Sequence, residues 1–161
     1  LKKEEKIMFG FGKKKKITLA APVPGRILDI TAVPDAVFAD KVMGDGFAVE
    51  PEGDTVAAPC DAEVAFVPET RHAVALVRDG IELLIHVGID TVALEGRGFT
   101  AFVKKGDRVK AGDPLLRFDA AVIRGAGKPL TTEIVVTNMD AVESLRKNLA
   151  DAAAVLTVEK K

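Results

Sequence analysis

From Ile17 onward the apolar residues come in short runs of four to eight, rich in Val and Ile and separated by Gly, Pro and Asp. Runs of that length bounded by turn residues predict strands, because helices need longer stretches with a 3.6-residue period. They place strands at 17–20, 25–29, 46–50, 55–57, 63–66, 73–78, 81–87, 99–102, 114–119, 133–136 and 154–158. Asp79-Gly80 predicts a hairpin between two of these runs, since an Asp-Gly pair adopts positive φ at little cost. Helices are expected at 140–150, with Asn138 as N-cap, and over a short stretch at 120–125. Residues 20–27 echo residues 57–64, two Ala-Pro turns that each feed a strand, which suggests a duplicated sheet. The expected fold is all-β and mainly antiparallel, a β-sandwich or barrel-sandwich hybrid with one or two short helices.

The same periodicity places the candidate chemistry. In the run 81–87, Leu83, Ile85 and Val87 share one face and Glu82, Leu84 and His86 the other; around position 72, Thr70, His72 and Val74 share a side. Pairing through the Asp-Gly turn sets position 72 or 73 opposite 86 or 87, bringing two imidazoles side by side. His72 and His86 are the two histidines of the chain, so any imidazole chemistry uses them.

Composition narrows the choice. With 161 residues there is room for one domain, read as 17–161 behind a flexible basic tail at 1–16. The 23 basic residues against 24 acidic ones, and 5% aromatics with no Trp or Tyr, argue against nucleic-acid binding. No run of about 20 apolar residues predicts a membrane span or a secretory signal. A single Cys, Cys60, points to a reducing compartment and reads as a small packed residue. Three site chemistries compete: a zinc site, a serine hydrolase and a nucleophilic histidine. The chain has no His-x-His or His-Glu-x-x-His spacing, and its one Ser, Ser144, falls in the expected helix. A nucleophilic histidine, needing a neutral imidazole, a neighbouring donor and shelter from water, suits the chain best.

Residues 84–92, Leu-Ile-His-Val-Gly-Ile-Asp-Thr-Val, resemble the active-site signature of the glucose-class enzyme IIA of the bacterial sugar phosphotransferase system. Residues 33–48, 69–73, 96–99, 106–113 and 137–140 resemble further blocks of that family, in order along the chain. The resemblance implies a duplicated hybrid-motif fold and a cytoplasmic phosphocarrier with no cofactor and no metal. It implies that His86 takes a phosphoryl group on Nε2 from the histidine-containing phosphocarrier protein and passes it to a cysteine of an enzyme IIB domain of a membrane sugar permease. His72 becomes the second active-site imidazole, bonded to the phosphoryl oxygens and oriented by Thr70. Val37, Phe38, Val42, Met43 and Leu84 become an apolar docking rim, with Asp35 and Asp90 at its edge, where turn or capping roles also suit both. Pro68, Leu84 and Val87 stand where aromatic residues are expected, which implies a flatter rim. A phosphorylation-dependent regulatory binding protein is the alternative on the same face. A lipoyl- or biotinyl-type carrier, suggested by Gly106-Asp107-Arg108-Val109, lacks a Lys in the required hairpin context, and a zinc hydrolase of similar architecture lacks its His-x-His motif.

Overall fold

The Val- and Ile-rich runs fold as strands in a computed structural model that describes residues 15–161; most of the basic tail lies outside the described residues. The strands are β1 (Lys16–Leu19), β2 (Gly25–Asp29), β3 (Asp45–Pro51), β4 (Thr55–Ala57), β5 (Ala62–Phe66), β6 (Ala73–Arg78) and β7 (Ile81–Val87). They continue with β8 (Phe99–Ala101), β9 (Arg108–Val109), β10 (Pro114–Phe118), β11 (Thr132–Val136), β12 (Val142–Lys147) and β13 (Leu156–Lys160). Two short helices, α1 (Ala36–Ala39) and α2 (Ala120–Gly125), and three 3-10 turns complete the regular elements of the described residues. One sheet of seven strands runs β2-β3-β11-β7-β6-β5-β9, and two sheets of three run β1-β13-β12 and β4-β10-β8. Among the described residues every pairing is antiparallel and no sheet closes into a barrel.

Alternation along the central strands divides the large sheet into two faces. Phe47 and Val49 on β3, Val74 and Leu76 on β6, Leu83, Ile85 and Val87 on β7, and Ile134 and Val136 on β11 enter the main core with residues of β1, β10 and β13. The opposite face carries a smaller cluster of Leu28, Ala48 and Val135, roofed by Ile30, Val33 and Phe38 from the connection between β2 and β3. That roof exists because Asp35 caps α1, its carboxylate accepting from the Val37 amide at 2.9 Å, and the turn drops Phe38 onto the sheet. Val87 therefore lies in the core and forms no part of a rim.

The two echoed Ala-Pro segments bond to each other: the Ala20 amide donates to the Pro59 carbonyl at 3.0 Å and the Ala57 amide to the Pro22 carbonyl at 2.7 Å. The helix at 120–125 is present as α2, with the Asp119 carboxylate accepting from the Ala121 and Val122 amides. The helix expected at 140–150 is not: its residues form a 3-10 turn, Met139–Ala141, and then β12. Val142, Leu145 and Leu149 have helical spacing, but pairing with β13 and the anchoring of Lys147 Nζ on Asp29 and Asp45, both at 2.7 Å, override local preference. Asn138 caps no helix; its amide donates to the Gly80 carbonyl and its carbonyl accepts from the Glu82 amide, bracing the β6–β7 turn. The last strand starts later than expected, at Leu156, because the Asp151 carboxylate accepts from the Ala153 amide and holds the preceding residues in a turn.

Candidate functional site

The site is built by one hairpin. Asp79 at φ 50° and Gly80 at φ 80° form the two-residue loop whose twist suits paired strands. The register then runs from Arg78 opposite Ile81 to Ala73 opposite His86, and the Val87 amide donates to the His72 carbonyl at 2.8 Å. Simple alternation would send His72 into the core with Val74. It does not hold here, because His72 precedes β6 and follows Arg71, which has a left-handed φ of 54°. The Arg71 guanidinium holds that turn by donating to the Phe99 and Gly96 carbonyls, both at 3.3 Å. The result is a pair of imidazoles with centroids 4.8 Å apart and planes at 86°.

Each ring uses Nδ1 on an internal partner. His72 Nδ1 lies 2.7 Å from Thr70 Oγ1, and His86 Nδ1 lies 2.9 Å from the Gly88 carbonyl and 3.1 Å from Glu133 Oε1. A carbonyl only accepts, so His86 carries its proton on Nδ1 and Nε2 keeps a free lone pair. Gly88 turns its carbonyl inward at φ 81°, and a Cβ there would run into Thr91 Cγ2 and the Pro129 carbonyl, so the position favours glycine. Burial holds His86 down to about 4, with the neighbouring His72 adding to the effect, and burial also lowers His72. Both rings are therefore neutral at pH 7.

One row of paired residues crosses this face and holds two polar side chains at its middle. Leu28, Ala48, Glu133, His86 and Ala73 stand directly opposite one another on β2, β3, β11, β7 and β6. Glu133 has no exposed surface, and burial, then Asp35 and Glu50, push its carboxyl up to about 10. The Phe38 ring covers His86 from 5.2 Å at a tilt of 53°, and Phe99 flanks His72 at 6.5 Å.

The residues singled out in the sequence gather unevenly around this pair. Phe38 is buried, and Met43 and Leu84 are half-buried against the same outer cluster. Val37 and Val42 project from the roof, 44% and 72% exposed. Asp35 is half-buried as the α1 cap and close enough to His86 to favour its protonation. Asp90 is exposed and meets Lys128 Nζ at 2.7 Å. Cys60 is buried in the main core, where burial raises its thiol to about 11. Among the described residues no group of three or more His, Cys, Asp and Glu side chains is placed to hold a metal ion. Glu133 and the Gly88 carbonyl were not anticipated from sequence; the available signal was an acid inside the strand run Thr132-Glu133-Ile134-Val135-Val136.

Comparison with known proteins bears on this arrangement. The family model described as phosphoenolpyruvate-dependent sugar phosphotransferase system, EIIA 1, matches residues 17–142. The chain is 45% identical over 150 residues to the PTS system glucose-specific EIIA component of Bacillus cereus, covering 92% of this chain and 91% of that protein. It is 48% identical over 123 residues to the PTS system mannose-specific EIIBCA component of Corynebacterium glutamicum, covering 76% of this chain and 18% of that longer protein. The solved structure of glucose permease IIA from Mycoplasma capricolum superposes with a TM-score of 0.73 at 29% identity, covering 91% of this chain and 90% of that one.

Proposed function

Since the chain belongs to the EIIA 1 family of the phosphoenolpyruvate-dependent sugar phosphotransferase system, we propose that it is a cytoplasmic phosphocarrier whose His86 takes a phosphoryl group on Nε2 from the histidine-containing phosphocarrier protein and passes it to a cysteine of enzyme IIB. The observation that carries this reading is the anchoring of His86 Nδ1 on the Gly88 carbonyl, which leaves Nε2 as the nucleophilic nitrogen of a ring kept neutral by burial.

In the transfer, the Nε2 lone pair forms the new N–P bond while the electron pair of the donor's N–P bond returns to the donor nitrogen. Positioning and charge stabilisation do most of the work in such a step. When Thr70 Oγ1–H donates to His72 Nδ1, His72 carries its proton on Nε2 and can donate it to a phosphoryl oxygen. The Phe38 ring and the roof beside it exclude water, which protects the phosphohistidine until the acceptor arrives. Val37 and Val42 dock both partners, and Asp35 and Asp90 meet basic groups at the edge of the contact.

Incubation with phosphoenolpyruvate and the general components of the system should add one phosphoryl group, acid-labile and base-stable, located on His86 by peptide fragmentation. No uptake, or uptake elsewhere, would overturn the reading. Val42→Glu puts a charge into the apolar contact and should raise the KM for the phosphorylated donor protein about tenfold, the scale of one interface residue. Its chemical phosphorylation by phosphoramidate, which needs no docking, should match the parent protein; an unchanged KM would remove Val42 from the interface.

A further inference from the structure

Glu133 is a buried acid with an unusual accounting of partners. Its Oε1 lies 3.1 Å from His86 Nδ1, while Oε2 has no hydrogen-bond partner among the described residues. It occupies the centre of the cross-strand row, directly opposite His86 on one side and Ala48 on the other. A carboxylate placed there gives up its hydration for one contact, so beside a neutral imidazole the acid form prevails. In that state Oε1 shares the Nδ1 proton with the Gly88 carbonyl.

A phosphoryl group on Nε2 reverses this preference. The ring that keeps its Nδ1 proton then carries a positive charge, and an ionised carboxylate at that distance becomes favourable. We propose that Glu133 is a positioning residue that acts as the internal counter-ion of phosphorylated His86, neutral while the imidazole is free and ionised while the ring carries the phosphoryl group. The inference rests on the phosphocarrier reading. As the Nε2–P bond forms, His86 retains its Nδ1 proton and Glu133 releases its carboxyl proton to water. As that bond breaks, its electron pair returns to Nε2 and Glu133 takes a proton back. The gain lies in donation: with Nδ1 protonated the ring departs as neutral imidazole, whereas without that proton it would depart as a poor leaving group, imidazolate.

The titratable groups around the pair are His72 ahead of β6, Asp35 on α1, Glu50 on β3, Arg26 opposite Glu50 on β2, and Glu82 further along β7. Asp35 and Glu50 oppose ionisation of Glu133, and the Glu50 carboxylate already accepts from Thr131 Oγ1 at 2.7 Å. The added charge of the phosphorylated ring is therefore what shifts Glu133.

The test is a nitrogen-15 NMR titration of the two histidines in the phosphorylated protein, prepared once through the protein donors and once with phosphoramidate. Nδ1 of phosphorylated His86 should lose its proton roughly one to three pH units lower in Glu133→Gln than in the parent protein, the span expected for a close opposite charge. Donation to the enzyme IIB cysteine should slow in kcat with KM unchanged. Superimposable titrations would overturn the counter-ion role while leaving the carrier function standing. Failure of the parent protein to label through the donors, together with a Glu133-dependent titration of the phosphoramidate product, would overturn the carrier function and support the counter-ion. If Glu133→Gln does not fold, Glu133→Asp gives the same comparison, with the carboxylate withdrawn by one methylene; there too an unchanged titration overturns the proposal.

Discussion

His86→Ala will take up no phosphoryl group from the protein donors, and His72→Gln will take one up but pass it to enzyme IIB about 10²- to 10³-fold more slowly than the parent protein, the scale of losing one preorganised donor or proton-transfer group. The two effects differ in kind because the rings are held differently. His86 has Nδ1 committed to the Gly88 carbonyl, so Nε2 is its only open nitrogen, and alanine removes it. His72 is bonded to a hydroxyl, which can donate or accept, so its proton can sit on either nitrogen as the phosphoryl charge moves. A glutamine amide reproduces the N–H but not that exchange, which is why acceptance survives and donation suffers. Rapid-quench measurement of each half-reaction separates them. Labelling of His86→Ala at a histidine would remove His86 from the chemistry, and parent-like donation by His72→Gln would remove His72.

The pairing of the imidazoles was legible because it depends on backbone arithmetic. An Asp-Gly loop fixes register, and the observed partners, Ala73 opposite His86, fall within the range that the loop dictates. The direction of the His72 side chain was not legible, since it follows from a left-handed Arg71 held by carbonyls 25 and 28 residues away. Asn138 shows the same limit: its amide sits where a helix cap would, but the groups it bonds lie on the β6–β7 turn, 56 and 58 residues away. The seven-stranded order that sets Glu133 beside His86 joins strands far apart in the chain, and local periodicity carries no information about such partners. The family resemblance groups Val37, Phe38, Val42, Met43 and Leu84 as one apolar rim, yet their division into a buried Phe38 and exposed Val37 and Val42 follows from the single turn capped by Asp35.

The stability of the protein should respond to pH in a shape that isolates Glu133. Its carboxyl rises from an ordinary 4.5 to about 10 on folding, so the native state holds a proton that the unfolded chain has lost. Stability from this group is present below pH 4.5 and falls as pH rises toward 10, at up to about 1.4 kcal/mol per pH unit. His86 acts in the opposite sense. It drops from 6.5 to about 4, so the unfolded chain holds the extra proton and stability rises with pH between those values. His72, lowered by burial, adds to that rise. In the parent protein Glu133 and His86 offset each other between pH 4.5 and 6.5, and above 6.5 the Glu133 decline stands alone. Glu133→Gln keeps the histidine rise and loses the decline. Urea unfolding across pH 4.5 to 8.5 should therefore show two curves that nearly meet at the acid end and diverge with rising pH, the variant becoming the more stable by several kcal/mol, on the order of 1.4 kcal/mol per unit. A gap that stays constant with pH would mean that Glu133 is ionised in the native protein, and it would remove the neutral acid from beside His86.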